Sequence, residues 1–271
     1  MSDDPGPGAE YRYARHLSID VVGGAGQERI QQADVLVVGA GGLGSPVIAY
    51  LAAAGVGTLH IVDPDIVETS NLQRQVIHTE ADVGRPKVDS AKAFVESLNS
   101  EVEVHTHETE FGPENAESLV ADRDVVVDCT DNFRARYVIN DACTLAAVPF
   151  VHGAVYRLEG QIGTFGTSED GPCYRCLFPE APPEEATPDC AVDGVLSPLP
   201  GTIGTMEATE VLKTVANFGE QLDGRLLVYD GEDMTTETLP MRQNPDCPVC
   251  GEHAEIDSLT EIEYSHPFSI E

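Results

Sequence analysis

The chain has 271 residues, 41% of them hydrophobic, and a formal net charge of −32 at pH 7. Its length allows one large domain or two small ones, with apolar residues enough for a sizeable core. Its 47 acids outnumber its 15 bases and spread along the whole chain, which argues against direct binding to nucleic acid and fits adaptation to molar salt, where a Debye length of about 3 Å screens self-repulsion.

In chain order, the acidic, Pro/Gly-rich start MSDDPGPGAE reads as a loose tail over residues 1–9 and not as a signal peptide. No run of about 18 apolar residues follows, so no membrane span is expected and the protein is expected in the cytoplasm. The stretch YRYARHLSIDVVGGAGQERIQQA predicts two short helices broken at Gly23–Gly24. DVLVVGAGGLGSPVIAYLAAAGVGTLHIVD then reads as strand, glycine turn, helix and strand, with Gly55 and Gly57 ending the helix. GRPKVDSAKAFVESLNSEVEVHTHE and DVVVDCTDNFRARYVINDACTLAAVPFVHGAV supply two further units of the same kind. The strands VLVV and VVVD are apolar without alternation, as a sheet covered on both faces requires. The fold class is therefore α/β, with a doubly wound, mostly parallel Rossmann-like sheet. GQIGTFG and RLLVYDGEDMTTETLPM extend it as antiparallel strands, with a long helix over GTIGTMEATEVLKTVANFG between them. The Pro- and acid-rich segment LFPEAPPEEATPDCAVDGVLSPLP reads as a long functional loop.

The chemistry begins at GAGGLG, residues Gly39 to Gly44, where glycine lets backbone approach phosphate at a helix N-terminus. Asp63 follows at the spacing of a ribose-binding acid. Asn71 and Arg74 in SNLQRQ, Lys87 in GRPK and Asp131 in DCTDN then place two cations and a carboxylate where a triphosphate and magnesium (Mg2+) would lie. A nicotinamide ring has less use for that set, which weighs against an NAD-dependent oxidoreductase. A non-catalytic scaffold is the other alternative, and the intact charged set weighs against it.

Cys173 with Cys176, and Cys247 with Cys250, form two CxxC pairs suited to a closed, tetrahedral structural zinc (Zn2+) site; two redox dithiols are the alternative. His253 could stand in for one cysteine. Cys129 and Cys143 read as core. Cys190, in the acidic loop, is either a nucleophile or incidental, and the acids near it would raise its pKa. His105 and His107 share one strand face and read as a solvated pair.

In this order RYARH, GAGGLGS, SNLQRQ, GRPKV, DCTDN, GQI, CYRC, GVL and CPVCG resemble the MoeB/ThiF family of adenylating enzymes, relatives of the ubiquitin-activating core, over Glu10 to Gly251. The resemblance implies one adenylation domain over 10–251, a crossover loop at about 179–200 and a tail over 252–271. It implies ATP and magnesium as the chemistry's reagents and, as substrate, a small ubiquitin-like or sulfur-carrier protein of β-grasp fold ending in Gly-Gly. Residues Gly39, Gly41, Gly42, Gly44 and Asp63 would hold the nucleotide, Asn71, Arg74 and Lys87 the phosphates, and Asp131 the magnesium. Arg15 would reach the neighbouring subunit's site in a homodimer, and Cys190 would be the residue for a thioester or acyl-disulfide step. Downstream uses implied are protein conjugation, molybdopterin synthesis and tRNA thiolation. Some relatives carry a rhodanese domain; this chain stops at Glu271, so sulfur is expected from a separate donor protein.

Overall fold

The computed structural model describes residues 12–168, 171–179 and 194–264. Strands β1 (Asp34–Val38), β2 (Thr58–Val62), β3 (Glu103–His107), β4 (Val125–Asp128), β5 (Phe150–Tyr156), β6 (Glu159–Phe165), β7 (Arg225–Asp230) and β8 (Thr235–Pro240) form one sheet in the order β3-β2-β1-β4-β5-β6-β7-β8. The first five positions are parallel and the last three strands run antiparallel to their neighbours. The mixed sheet expected from the sequence is therefore present.

The helices are α1 (Ala14–Leu17), α2 (Gly23–Gln32), α3 (Gly44–Ala54), α4 (Lys87–Leu98), α5 (Pro113–Val120), α6 (Phe133–Ala146), α7 (Tyr174–Leu177) and α8 (Pro198–Ala216). Alternate residues of each central strand feed opposite cores, because successive side chains leave a strand on opposite faces. Val35 and Val37 pack with Val47, Leu51, Val88 and Ile203 from α3, α4 and α8. Leu36 and Val38 pack with Leu119, Val138 and Ile139 from α5 and α6. A fully buried aliphatic side chain contributes about 1.5–3 kcal/mol, so two such layers hold the central strands rigid and give their carboxyl ends fixed positions.

One boundary differs from expectation. The first two helices part at Ser18–Val22, and Gly23–Gly24 opens the second helix instead of breaking the pair. Tight bonds from Ile19, Val22 and Gly23 N–H groups make the turn, and Gly23 enters the helix at φ +54°, a left-handed value that glycine adopts without steric cost. Gly55 ends α3 as the sequence suggests, with φ +80° and two cap bonds to Ala52 and Leu51 carbonyls. Residues 252–264 hold neither helix nor strand, yet Leu259 is buried against α6 and Tyr264 donates to Asp141 Oδ2 at 2.8 Å. Among the described residues no helix is long and apolar enough to cross a membrane.

Candidate active site

β1 lies between β2 and β4, so the chain leaves β1 toward one side and β4 toward the other, and the crevice at their carboxyl ends is where open α/β sheets bind ligands. A cavity of about 490 Å³ opens there. The glycine turn forms one wall, and two of its glycines are demanded by packing alone. Gly39 has φ +101°, and a Cβ on it would sit 2.7 Å from the Cys129 carbonyl oxygen. A Cβ on Gly44 would lie 1.9 Å from the Gly39 oxygen. Gly41 and Gly42 line the cavity, Gly44 opens α3 beneath them, and the α3 N-terminus leaves unbonded amide groups for an anion.

Asp63, one residue past β2, is tied into this wall. Its Oδ2 accepts the Ala40 N–H at 2.7 Å and its Oδ1 accepts the Asp65 N–H at 2.9 Å. Burial pushes its carboxyl upward, against the opposing pull of Lys87 and the two N–H groups. Lys87, the first residue of α4, is buried and bonds Asp65 Oδ2 at 2.7 Å, with Asp63 Oδ1 at 3.9 Å. A lysine held this way is a fixed cation at the cavity wall. Arg74 is half-buried and donates to the Ser70 carbonyl at 3.2 Å. Gln75 beside it has a buried Oε1 without a partner among the described residues, an acceptor built into the wall. Behind the turn, His78 Nε2–H donates to the Ala40 oxygen at 2.9 Å, so its Nδ1 accepts from Ser90 Oγ at 2.8 Å. Burial depresses its pKa and keeps it a neutral strut.

The opposite wall begins at the end of β4. Asp131 is exposed and lines the cavity, and Asn132 caps α6 by accepting the Ala135 N–H at 2.9 Å. Beneath them lies a buried polar layer. Asp128 is fully buried and accepts from His152 Nδ1 at 2.8 Å and from Thr130 Oγ1 at 2.6 Å. Burial alone would raise its pKa; the hydrogen bond from His152, the Arg136 guanidinium and the bond from Thr130 outweigh that and hold it below the usual carboxylate value. Burial depresses the pKa of His152, which is neutral. Glu207 of α8 is also fully buried, and burial pushes its carboxyl well above the usual carboxylate value. It lies flat on Gly153, where a Cβ would meet its Cδ at 2.4 Å. Cys129 is pushed well up by burial and by Glu207, which leaves an inert thiol, as expected for a core cysteine.

Of the residues singled out from the sequence, Gly39, Gly41, Gly42, Asp63, Arg74, Lys87 and Asp131 meet around one cavity. Asn71 does not line it; its Oδ1 accepts the Glu68 N–H at 3.0 Å and its carbonyl accepts from Arg74 and Gln75, so it shapes the turn that carries them. Arg15 stands exposed on α1, outside the cavity lining. Cys190, the middle of the crossover loop and residues 1–9 lie outside the described residues. The sequence reading missed Gln75, His78, Asp128, Arg136, His152, Gln161 and Glu207. Gln75 ends SNLQRQ with His78 three residues on, Asp128 opens DCTDN and Gln161 sits in GQI, while Arg136, His152 and Glu207 carried no local signal.

Cys173, Cys176, Cys247 and Cys250 converge at a second place, with all four sulfurs within 4.8 Å. Neighbouring sulfurs stand 3.4 to 3.9 Å apart. A disulfide needs about 2.05 Å. Thiolates on a tetrahedral ion with bonds of about 2.3 Å would be about 3.8 Å apart, so the donor set suits zinc. His253 is exposed and not part of the cluster. His105, which is exposed, and the half-buried His107 flank His60, whose ring stacks 4.7 Å from His105 and 5.5 Å from His107. Cys143 is buried in the core, as expected.

Comparison with known proteins agrees with this geometry. Residues 13–249 match the ThiF family. The SAMP-activating enzyme E1 of Haloferax volcanii is 56% identical over 253 residues, which cover 93% of each chain. The sulfur carrier protein adenylyltransferase of Thermus thermophilus is 45% identical, over 93% of this chain and 94% of that one. The mouse adenylyltransferase and sulfurtransferase MOCS3 is 46% identical, but the match spans 55% of its length. Among solved structures, E. coli MccB superposes with a TM-score of 0.79 at 23% identity, over 90% of this chain and 76% of that one, which is a likeness of fold.

Proposed function

The chain belongs to the ThiF family, and from that premise we propose that it is an adenylyltransferase that activates ubiquitin-like or sulfur-carrier proteins for conjugation and for sulfur transfer. The observation that carries this is the convergence of Arg74, Lys87 and Asp131 on a cavity floored by a glycine turn. Relatives of more than 40% identity named as an activating enzyme or as adenylyltransferases support the same reading.

ATP lies along the glycine turn with its ribose on Asp63. The carrier's terminal carboxylate attacks the α-phosphate; it is ionised at neutral pH and needs no general base. An acyl-adenylate forms and pyrophosphate leaves. Negative charge grows on the phosphorus oxygens and on the departing pyrophosphate, and Lys87 and Arg74 are held in place before it appears. Fixed cations in a site that excludes water act more strongly than the same charges in solvent. Asp131 would hold a magnesium ion, which supplies further positive charge to the phosphates when bound; an exposed carboxylate at the cavity rim is the oxygen donor such an ion takes. The four cysteines would hold a structural zinc that clips the α7 segment to residues 247–250.

Arg15, exposed and away from its own cavity, serves the site of a second copy in a homodimer. Cys190 takes the acyl group from the adenylate, a thioester forming as AMP leaves; an acyl-disulfide forms instead, with the same loss of AMP, where a separate donor protein has first made Cys190 a persulfide. Sulfur comes from a separate protein. The net charge of −32 supports operation in molar salt, within the cytoplasm. The test is mass spectrometry of a Gly-Gly carrier incubated with the enzyme and magnesium–ATP. The expected result is an adenylate on the terminal glycine, lost when that glycine is removed; an unmodified carrier under every salt condition would overturn the proposal.

A further inference from the structure

A single buried carboxylate, that of Asp128, serves two walls of the cavity at once. On one side its Oδ1 accepts both the Thr130 N–H at 3.1 Å and the Thr130 hydroxyl at 2.6 Å. Arg136 stands over the same loop: its Nε is 3.5 Å from Asp128 Oδ2 and its Nη2 is 3.5 Å from the Thr130 carbonyl. The Thr130 N–H, hydroxyl and carbonyl are thus all engaged, and the next residue is Asp131. On the other side Asp128 Oδ2 accepts His152 Nδ1–H at 2.8 Å. That commits the imidazole to one tautomer, so His152 Nε2 is an acceptor, and Gln161 Nε2 lies 3.4 Å from it. The amide of Gln161 is thereby oriented as well, with its Oε1 left to accept at the cavity wall. Gln161 lies on β6, and with Ala154, Tyr156, Glu159 and Val228 it lines the part of the cavity formed by β5, β6 and β7. An extended tail rich in glycine offers backbone N–H groups and almost no side chains, so a fixed, neutral acceptor is the group that recognises it.

We propose that Asp128 is a positioning residue that aligns the two reactants, fixing Asp131 toward the nucleotide phosphates through Thr130 and fixing Gln161 toward the carrier's C-terminal tail through His152. This inference rests on the adenylation reading and adds to it a specific role for Asp128, His152 and Gln161. A buried carboxylate with two sets of neutral donors transmits position without itself changing charge, because every bond it makes stabilises the ionised form.

The test compares the parent with Thr130→Val, Gln161→Leu and Asp128→Asn in carrier-dependent ATP–pyrophosphate exchange. Thr130→Val is expected to raise the KM for magnesium–ATP about tenfold and leave that for the carrier unchanged, as for loss of a bond to a charged group. Gln161→Leu is expected to do the reverse. Asp128→Asn is expected to raise both. Two readouts need no turnover: amide deuterium exchange at residues 129–132 speeds up in Asp128→Asn and Thr130→Val, and the nitrogen resonances of His152 lose their fixed-tautomer pattern in Asp128→Asn only. A merely structural Asp128 would lower the unfolding midpoint and the active fraction while both KM values stayed put. The proposal is overturned if a folded Asp128→Asn keeps both KM values within about twofold, roughly 0.4 kcal/mol. Should Asp128→Asn not fold, Thr130→Val and Gln161→Leu decide, and either of them leaving its own KM unmoved overturns it. A parent that shows no exchange with any carrier defeats the adenylation reading itself, and this inference with it.

Discussion

Replacing Lys87 by alanine separates the two jobs that its position gives it. The ammonium group lies 2.7 Å from Asp65 and 3.9 Å from Asp63, and the side chain is 7% exposed. For stability, a unit charge pair near 4 Å at an effective dielectric of about 20 gives about 4 kcal/mol before any compensation. Asp63 keeps its bonds from the Ala40 and Asp65 N–H groups, and Asp65 is largely open to solvent. The net loss is therefore expected near 2 kcal/mol, roughly, below the 3–5 kcal/mol of a severed, fully buried pair. For catalysis, the role proposed for Lys87 is to face the phosphates, and removal of such a fixed stabiliser is expected to cost about 3 kcal/mol of barrier, about a hundredfold in rate. The assay is single-turnover formation of the acyl-adenylate at saturating ATP, scaled by the folded fraction from a denaturant titration of the same sample. Lys87→Arg, which keeps the charge, should recover part of the rate. A folded Lys87→Ala that forms adenylate within twofold of the parent would refute the assignment of Lys87 to the phosphates.

Other perturbations read other parts of the structure. Gly44→Ala should unfold the glycine turn or shift it, because its Cβ would lie 1.9 Å from the Gly39 oxygen; the expected cost is at least about 3 kcal/mol with ATP binding lost, and an unchanged unfolding midpoint would contradict the turn geometry. Cys247→Ser, or a strong chelator, should release one zinc per chain by metal analysis and lower the thermal midpoint, whereas two redox dithiols would leave the metal content at zero from the start. Stability should fall as pH drops from 6.5 toward 4. His60 titrates at 6.5 when unfolded but is pushed down to about 4 in the fold by burial and by Arg123, so the unfolded chain binds the extra proton in that window. His60→Gln should make that slope shallower, and an identical slope in a denaturant series would contradict the stack's role.

Much of the fold was legible because its signals are local. The apolar strands, the glycine turn and the ends of α3 each announce themselves within about ten residues. Three residues of the cavity lining were legible for the same reason, since Asp63, Arg74 and Lys87 follow one strand in close order. The buried layer beneath them was not. Asp128 and His152 are 24 residues apart, and Cys129 and Glu207 are 78 apart. A charged or polar letter in a sequence reads as surface until tertiary contacts show otherwise. Glu207 illustrates this: on a helix of alternating polar and apolar residues it reads as solvent-facing, yet it packs on Gly153 in the core. Asn71 shows the reverse: it stands in a polar cluster that suggests a ligand role, while its side chain accepts the Glu68 N–H and shapes the turn.

The most direct measurement of the central claim is ATP–pyrophosphate exchange in molar potassium chloride, with a small carrier ending in Gly-Gly and with the same carrier lacking its last glycine. The account predicts exchange with the first, none with the second, and a rate about a hundredfold lower for Lys87→Ala. Exchange that ignores the carrier's terminus, or none at all from folded protein across several carriers, would contradict it.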